Sequence, residues 1–210
     1  MEALCRSLES LKKGRVASSV KRRMAEFEAR RAQSEDEVFS ELCFCLLTAN
    51  YSAEGAIRIQ DAIGGGFTSL PEPALAAELR RLGYRFPNTR ARYIVEARKR
   101  RRKLKGMLAS AGDEKVLRAW LAENILGLGY KEASHFLRNI GCRDLAIIDF
   151  HIIGLLARHK IIKKPKNKSL PRKKYLEIEH ALETVASRSG LCQGELDLYL
   201  WYMETGKVLK

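Results

Sequence analysis

Residues 127–131, Gly-Leu-Gly-Tyr-Lys, constrain the fold of this chain more than any other segment. Two glycines that flank a single residue allow a tight turn with positive φ, a conformation in which other residues are strained. Apolar periodicity predicts one helix before this turn, over 114–124, and a second helix after it, over about 130–140. The sequence therefore predicts a helix–hairpin–helix at about 114–140, and the start of its second helix suits an anion such as a phosphate.

Helical periodicity also dominates the rest of the chain, and only the apolar run at 145–148 has the character of a short strand. The other predicted helices cover 2–11, 16–32, a core helix that opens with a capping box at Ser34 and Glu37, 73–82, 89–105, 150–159, 172–188 and 192–203, with a basic loop at 160–174. We therefore predict an all-α fold. We expect residues 1–210 to form a single domain of two helical lobes that flank a cleft, with the hairpin in the central lobe.

Composition points to a polyanionic partner. The chain has 39 Lys and Arg residues against 25 Asp and Glu residues, a net charge of +14, and basic side chains bind phosphates with release of counterions. No apolar run approaches the roughly 18 residues that a membrane span needs, and the N-terminus lacks a secretory pattern. We therefore expect an intracellular, cytoplasmic protein that binds no membrane, and we expect it to be a monomer.

The five cysteines indicate neither a disulfide framework nor a metal centre. Their number is odd and no Cys-x-x-Cys pair occurs, which argues against thiolate ligation of zinc or of an iron–sulfur cluster. Cys43 and Cys45 lie in the apolar core helix, where we expect them to be packing residues. We predict no metal and no cofactor.

Two residues near the hairpin carry groups suited to chemistry. Lys131 lies two residues after the second glycine, and Asp149 follows 18 residues later, directly before an apolar helix. In a basic protein this placement suggests an amine nucleophile directed at nucleic acid and accompanied by a carboxylate. On spacing alone, a phosphate-binding lysine is the stronger interpretation of Lys131. Asp149 is also expected to cap the helix that follows it, which contributes roughly 1 kcal/mol.

The run from Leu126 to Ala133, followed by Asp149, resembles the helix–hairpin–helix DNA glycosylase superfamily. Within it, the chain is similar to the archaeal-type 8-oxoguanine DNA glycosylase/AP lyase family over nearly its whole length. Further matching segments are 47–53, 83–86, 90–94 and the short C-terminus that ends in lysine. Two departures stand out. Leu126 replaces the proline common before the first glycine, and the four-cysteine cluster of endonuclease III-like relatives is absent, which argues against that subfamily and its pyrimidine substrates.

The resemblance implies a base-excision repair enzyme that acts on double-stranded DNA containing 8-oxoguanine or abasic sites. It implies that Lys131 displaces the damaged base, forms a Schiff base with the sugar and leads to strand cleavage by β-elimination. Asp149 would stabilise positive charge at C1′ and help to deprotonate the lysine. Gly127, Gly129 and Tyr130 of the hairpin would contact the DNA backbone.

Further residues are candidates for recognising the base. We expect Phe86 and Trp201 to pack against the extruded base. The resemblance also implies that the terminal carboxylate of Lys210 accepts the N7–H that distinguishes 8-oxoguanine from guanine. On sequence alone, a frayed tail is the stronger interpretation of Lys210. Asn50 would form hydrogen bonds with the cytosine that loses its partner, although a role as a helix C-cap is an equally good interpretation. His151 would contact a phosphate, although a packed or solvated histidine is as reasonable.

Three other functions remain open. The first is a glycosylase of the same fold that excises another lesion, which a panel of lesion duplexes would distinguish. The second is a non-enzymatic helix–hairpin–helix module, which would need neither Lys131 nor Asp149. The third is a basic scaffold or RNA-associated protein, which leaves the spacing of the lysine and the aspartate unexplained.

Overall fold

The computed structural model describes residues 1–110, 112–167 and 170–210. These residues form helices and no strands, so the predicted all-α fold is confirmed. The helices are α1 (Glu2–Lys13), α2 (Val16–Arg30), α3 (Glu35–Thr48), α4 (Ala53–Ile63), α5 (Gly66–Ser69), α6 (Glu72–Arg81), α7 (Pro87–Arg98), α8 (Arg101–Ser110), α9 (Glu114–Asn124), α10 (Tyr130–Asn139), α11 (Phe150–Arg158), α12 (Arg172–Ser189) and α13 (Gln193–Thr205).

The chain divides into two compact units. The central unit comprises residues 29–140, and the terminal unit combines residues 1–28 with residues 141–210. Helices α9 and α10, joined by the glycine turn, lie in the central unit. Within the described part of the chain, no helix is both long enough and apolar enough to cross a membrane.

Helix α3 is the core of the central unit. Its start is the predicted capping box, because the Ser34 hydroxyl accepts from the Glu37 amide and the Glu37 carboxylate accepts from the Ser34 amide. Every residue from Leu42 to Leu47 is buried, and α4, α5, α7, α8 and α10 pack against this helix. Cys43 and Cys45 are fully buried, as predicted, and burial raises the pKa of the Cys43 thiol well above its usual value.

One prediction for the central unit was wrong in detail, and two helices were missed. The single helix expected over 89–105 is two helices, because the amides of Lys99 and Arg100 bond carbonyls only three residues back and end α7. Arg101 then starts α8 and pairs with acidic residues at the start of α3. Helices α4 and α5 were not predicted, although Ser52 is a conventional N-cap whose hydroxyl accepts from the Gly55 amide at 3.1 Å.

The terminal unit is built from α1, most of α2, α11, α12 and α13. Helix α12 packs against both α1 and α13, and α11 packs against α13. The run at 145–148, whose apolar sequence has the character of a strand, is buried and lies in neither a helix nor a strand. The basic loop expected to reach residue 174 ends sooner, because α12 begins at Arg172, and residues 168–169 of that prediction lie outside the described residues.

Candidate active site

The turn between α9 and α10 needs a positive φ at only one of its glycines. Gly127 has φ +87°, in the left-handed region that favours glycine. Gly129 has φ −92° and ψ −175°, an extended conformation that any residue can adopt, and it is the N-cap of α10. The close approach to Gly127 is made by the protein itself, because a Cβ there would lie 2.3 Å from Cδ2 of Tyr93.

A buried arginine on α9 contacts two residues of α10. Arg118 on α9 is almost fully buried, and its guanidinium lies 4.9 Å from the ring centroid of Tyr130, the first residue of α10. Its Nη1 also donates to the Ser134 hydroxyl at 3.3 Å, one turn further along α10. The contact with Arg118 thereby fixes Tyr130, the residue immediately before the candidate nucleophile Lys131.

Lys131 is the second residue of α10, and its side chain is 24% exposed. Its Nζ lies 3.9 Å from Oε1 of Glu132, which makes an ion pair. The other oxygen, Oε2, accepts from the Gly129 amide at 3.3 Å, so Glu132 ties the lysine to the end of the hairpin. Sequence reasoning missed Glu132, although an acid at the third position of a helix is a known N-terminal signal.

The far end of α10 is anchored by a buried polar cluster. Asn139, the last residue of α10, donates its Nδ2 to Oε1 of Glu41 on α3 at 2.6 Å. Arg30 lies 3.1 Å from Oε2 of the same carboxylate, and Gln60 donates to that oxygen at 3.4 Å. Because Glu41 and Asn139 are fully buried, this cluster fixes the helix that carries Lys131 against the core of its unit.

Asp149 is the N-cap of α11 in the terminal unit, as predicted. Its backbone is extended, with φ −104° and ψ −175°, and its Oδ1 accepts from the Ile152 amide at 2.9 Å. The backbone before it is bonded by side chains of α12. Tyr175 donates its hydroxyl to the Ala146 carbonyl at 2.6 Å, and Glu179 accepts from the Ala146 amide at 3.1 Å.

The structure brings two of the predicted site residues into contact beside Asp149. The rings of His151 and Trp201 meet edge to face, with centroids 4.9 Å apart, so His151 is at least partly a packed histidine. Phe150 stacks on His151 with centroids 4.0 Å apart, yet it remains 75% exposed. A large apolar ring so exposed at the start of α11 was not singled out from the sequence, and it is available to a partner.

The end of the C-terminal tail is partly buried. Gly206, with φ +70°, ends α13, and residues 208–210 are half-buried. Gly206 and Val208 line a cavity of about 330 Å³ in the terminal unit, whose other lining residues are Arg15, Val16, Ser19, Arg22, Arg23 and Tyr202. This packing favours an ordered tail over the frayed one that the sequence alone suggests.

Phe86 and Asn50 belong to the central unit, on two neighbouring loops. Phe86 precedes α7 and is 39% exposed, with the Arg85 guanidinium 5.0 Å from its ring centroid. Asn50 follows Ala49, the C-cap of α3, and is exposed with φ +61°, a conformation that asparagine can adopt just after a helix. Arg90 connects the two loops, because it donates to the Tyr84 hydroxyl and to the carbonyl of Ala49, the residue before Asn50.

Comparison with known proteins agrees with this architecture. A sequence model of the family described as 8-oxoguanine DNA glycosylase matches residues 20–191. The chain is 53% identical over 210 residues to the 8-oxoguanine DNA glycosylase/AP lyase of Korarchaeum cryptofilum, covering 100% of this chain and 99% of that relative. It is 49% identical over 207 residues to the Methanocaldococcus jannaschii protein of the same name, covering 99% of each.

The solved structures give the same result. The fold matches the crystal structure of Methanocaldococcus jannaschii 8-oxoguanine DNA glycosylase with a TM-score of 0.94 and 48% identity, covering 100% of this chain and 97% of that one. The corresponding glycosylase/lyase in complex with a 15mer DNA containing 8-oxoguanine matches with a TM-score of 0.95 and 48% identity, covering 99% and 100%. The all-α fold and the hairpin define a protein of the helix–hairpin–helix class. Within that class, the chain belongs to the 8-oxoguanine DNA glycosylase family.

Proposed function

We propose that this protein is a bifunctional DNA glycosylase of base-excision repair, which removes 8-oxoguanine from duplex DNA and cleaves the strand at the resulting abasic site. The observation that carries the proposal is the position of Lys131, half-buried at the start of α10 directly behind the hairpin. Relatives at 53% and 49% identity, named 8-oxoguanine DNA glycosylase/AP lyase, support it.

Lys131 is the proposed nucleophile. Its Nζ lone pair forms a bond to C1′ as the bond from C1′ to the base nitrogen breaks, and the base leaves with that electron pair and takes up a proton. Nζ then loses a proton and its electron pair forms a double bond to C1′ as the C1′–O4′ bond breaks. O4′ takes up a proton, which leaves an open sugar joined to Nζ by a Schiff base. Loss of a proton from C2′ expels the 3′ phosphate oxygen, and this β-elimination cleaves the strand.

Asp149 is proposed to oppose the positive charge that develops at C1′ as the base departs and to help deprotonate the attacking amine. Its role as an N-cap is compatible with this, because the bond from the Ile152 amide holds the carboxylate in one orientation. A fixed carboxylate stabilises a developing cation without having to reorganise during the reaction.

The base pocket is proposed to include Phe86 and Trp201, whose rings would pack on the extruded base. The terminal carboxylate of Lys210 is proposed to accept the N7–H of 8-oxoguanine, a donor that guanine lacks. The half-buried tail supports this assignment over a frayed end. Asn50, which is exposed on its loop, is proposed to bond the cytosine left without its partner.

Contacts to the DNA backbone are proposed for the hairpin and for the start of α11. Gly127, Gly129 and Tyr130 would meet a phosphate at the N-terminus of α10, and His151 would meet another. These contacts carry no sequence information, which suits an enzyme that must scan any sequence for a lesion. Because genomic DNA is the proposed substrate, we expect the protein at the nucleoid.

Borohydride trapping on a duplex with one 8-oxoguanine tests the proposal, because hydride reduces a Schiff base to a stable covalent adduct. Wild-type protein is expected to form the adduct and Lys131→Gln to form none while still binding the duplex, since one of 39 basic residues adds little to phosphate affinity. Lys21→Gln, which removes an exposed lysine of α2, is the matched control and is expected to behave like wild type.

Two outcomes would overturn the proposal. An adduct formed by Lys131→Gln would assign the nucleophile to another amine. No adduct with any protein, together with faster cleavage of a different lesion in a duplex panel, would assign another substrate to the same chemistry.

A further inference from the structure

The buried segment 145–148, which leads into Asp149, forms hydrogen bonds with side chains of α12, whereas a strand in a sheet would bond a neighbouring strand. The Ala146 amide donates to Oε1 of Glu179 at 3.1 Å, and the Ala146 carbonyl accepts from the Tyr175 hydroxyl at 2.6 Å. The same hydroxyl accepts from the Ile148 amide at 3.4 Å. Three backbone groups of a buried segment therefore depend on two side chains of α12.

The placement of those two side chains is specific. Tyr175 and Glu179 are four residues apart on α12, so they lie on one face of the helix, one turn apart. They are 3% and 2% exposed, in a region where an unpaired polar group costs stability. The segment they hold is equally buried, from Leu145 to Ile148, so neither side chain is positioned to touch DNA.

The contacts lead directly to Asp149. Ile148, whose amide bonds the Tyr175 hydroxyl, is the residue immediately before it. On the other side, the Asp149 carboxylate is fixed by the Ile152 amide. The backbone just before Asp149 is therefore held by side chains of α12, and the carboxylate of Asp149 is held by an amide in the first turn of α11.

We propose that Tyr175 and Glu179 are positioning residues for Asp149, which set the place of its carboxylate through the backbone of residues 146–148. This inference rests on the proposed role of Asp149 in the reaction. Because a misplacement of about 1 Å in a reacting group can slow a reaction about 100-fold, the loss of either side chain is expected to lower the rate of chemistry. DNA binding is expected to remain.

Single-turnover rates on a duplex with one 8-oxoguanine test the inference, with active protein counted by the end point of borohydride trapping. Tyr175→Phe is expected to react roughly 10- to 100-fold more slowly than wild type, with an unchanged Kd for the duplex. Tyr199→Phe is the matched control, because Tyr199 is also buried in the terminal unit and its hydroxyl bonds to none of the described residues. It is expected to keep the wild-type rate.

Substitutions at Glu179 test whether the rate depends on its acceptor oxygen or on its negative charge. Glu179→Gln keeps an oxygen for the Ala146 amide and is expected to remain within a few-fold of the wild-type rate, whereas Glu179→Ala is expected to fall as Tyr175→Phe does. Glu179→Asp, which only withdraws the acceptor by one methylene, is the milder variant if the others give little folded protein. Wild-type rates for both Tyr175→Phe and Glu179→Asp would overturn the inference.

A double-mutant cycle with Asp149→Asn distinguishes positioning from a general loss of structure. If Tyr175 acts through Asp149, Tyr175→Phe is expected to add little to the slowing already caused by Asp149→Asn. The same fold-decrease in both backgrounds would make Tyr175 merely structural and overturn the inference. A wild-type rate for Asp149→Asn alone would instead remove Asp149 from the proposed mechanism. A slow Asp149→Asn together with wild-type rates for both Tyr175→Phe and Glu179→Asp would leave that mechanism standing and overturn only the positioning role.

Discussion

The ring of Tyr93 occupies the space beside Gly127 that a side chain at that position would need. A Cβ on Gly127 would lie 2.3 Å from Cδ2 and 2.6 Å from Cε2 of the ring. The guanidiniums of Arg90 and Arg92 lie 5.4 Å and 5.5 Å from the centroid of the same ring, so the tyrosine is itself held in place. Glycine is therefore required at residue 127 for two reasons, its positive φ and the proximity of an aromatic ring.

The two hairpin glycines are expected to respond differently to alanine. Gly127→Ala should lower the free energy of unfolding by at least about 1 kcal/mol, because it combines strain at φ +87° with a clash against Tyr93. Gly129→Ala should cost less, since φ is −92° and the new Cβ meets only a side-chain oxygen of Glu132, at 3.2 Å. Urea unfolding and duplex binding measure both effects. Equal losses for the two variants would show that neither the positive φ nor the ring of Tyr93 makes glycine necessary at residue 127.

Glu132 is expected to hold the hairpin in place for Lys131. Glu132→Ala removes the acceptor of the Gly129 amide and should cost about 1 kcal/mol, as the loss of a helix cap does. Glu132→Gln keeps an acceptor oxygen and should melt close to wild type. Thermal melting measures the cap, and the rate of borohydride trapping measures its effect on the lysine. Equal melting temperatures for Glu132→Ala and wild type would show that the bond contributes nothing.

The cluster around Glu41 is expected to stabilise the central unit. Asn139→Ala leaves a buried carboxylate without the donor that lies 2.6 Å from it and should cost about 1–3 kcal/mol. Asn88→Ala is the control, because Asn88 accepts from Arg80 at the exposed surface, where loss of the bond should cost little. Chemical denaturation compares the two variants. A loss for Asn139→Ala no larger than that for Asn88→Ala would show that Glu41 is satisfied by its other partners.

Features set by local sequence were predictable. The Ser34 capping box and the Asp149 N-cap depend on bonds between residues three apart, and the hairpin depends on glycines at fixed spacing. These signals lie within a single turn of helix, so they can be recognised in a sequence before the fold is known. The all-α class followed from periodicity for the same reason.

Features set by tertiary packing were not predictable. The apolar run at 145–148 resembles a strand because it is buried on all sides, yet its bonds go to Tyr175 and Glu179, 29 and 33 residues away from Ala146. Asn139 and Glu41 are 98 residues apart. Nothing in the local sequence of one member of such a pair identifies the other, because the fold alone brings them together.

The terminal carboxylate, rather than the side chain, of Lys210 is expected to control discrimination between 8-oxoguanine and guanine. The tail is half-buried after the turn at Gly206, so the position of its last atoms depends on its length. Deletion of Lys210 displaces the carboxylate by one residue. It should lower the ratio of single-turnover excision rates on matched duplexes roughly 10- to 100-fold, since a hydrogen bond to a charged group contributes about 1.5–3 kcal/mol. Lys210→Ala keeps the carboxylate in place and is expected to preserve the ratio. An unchanged ratio after the deletion would assign discrimination to other residues of the pocket, and a fall with Lys210→Ala as well would assign it to the side chain.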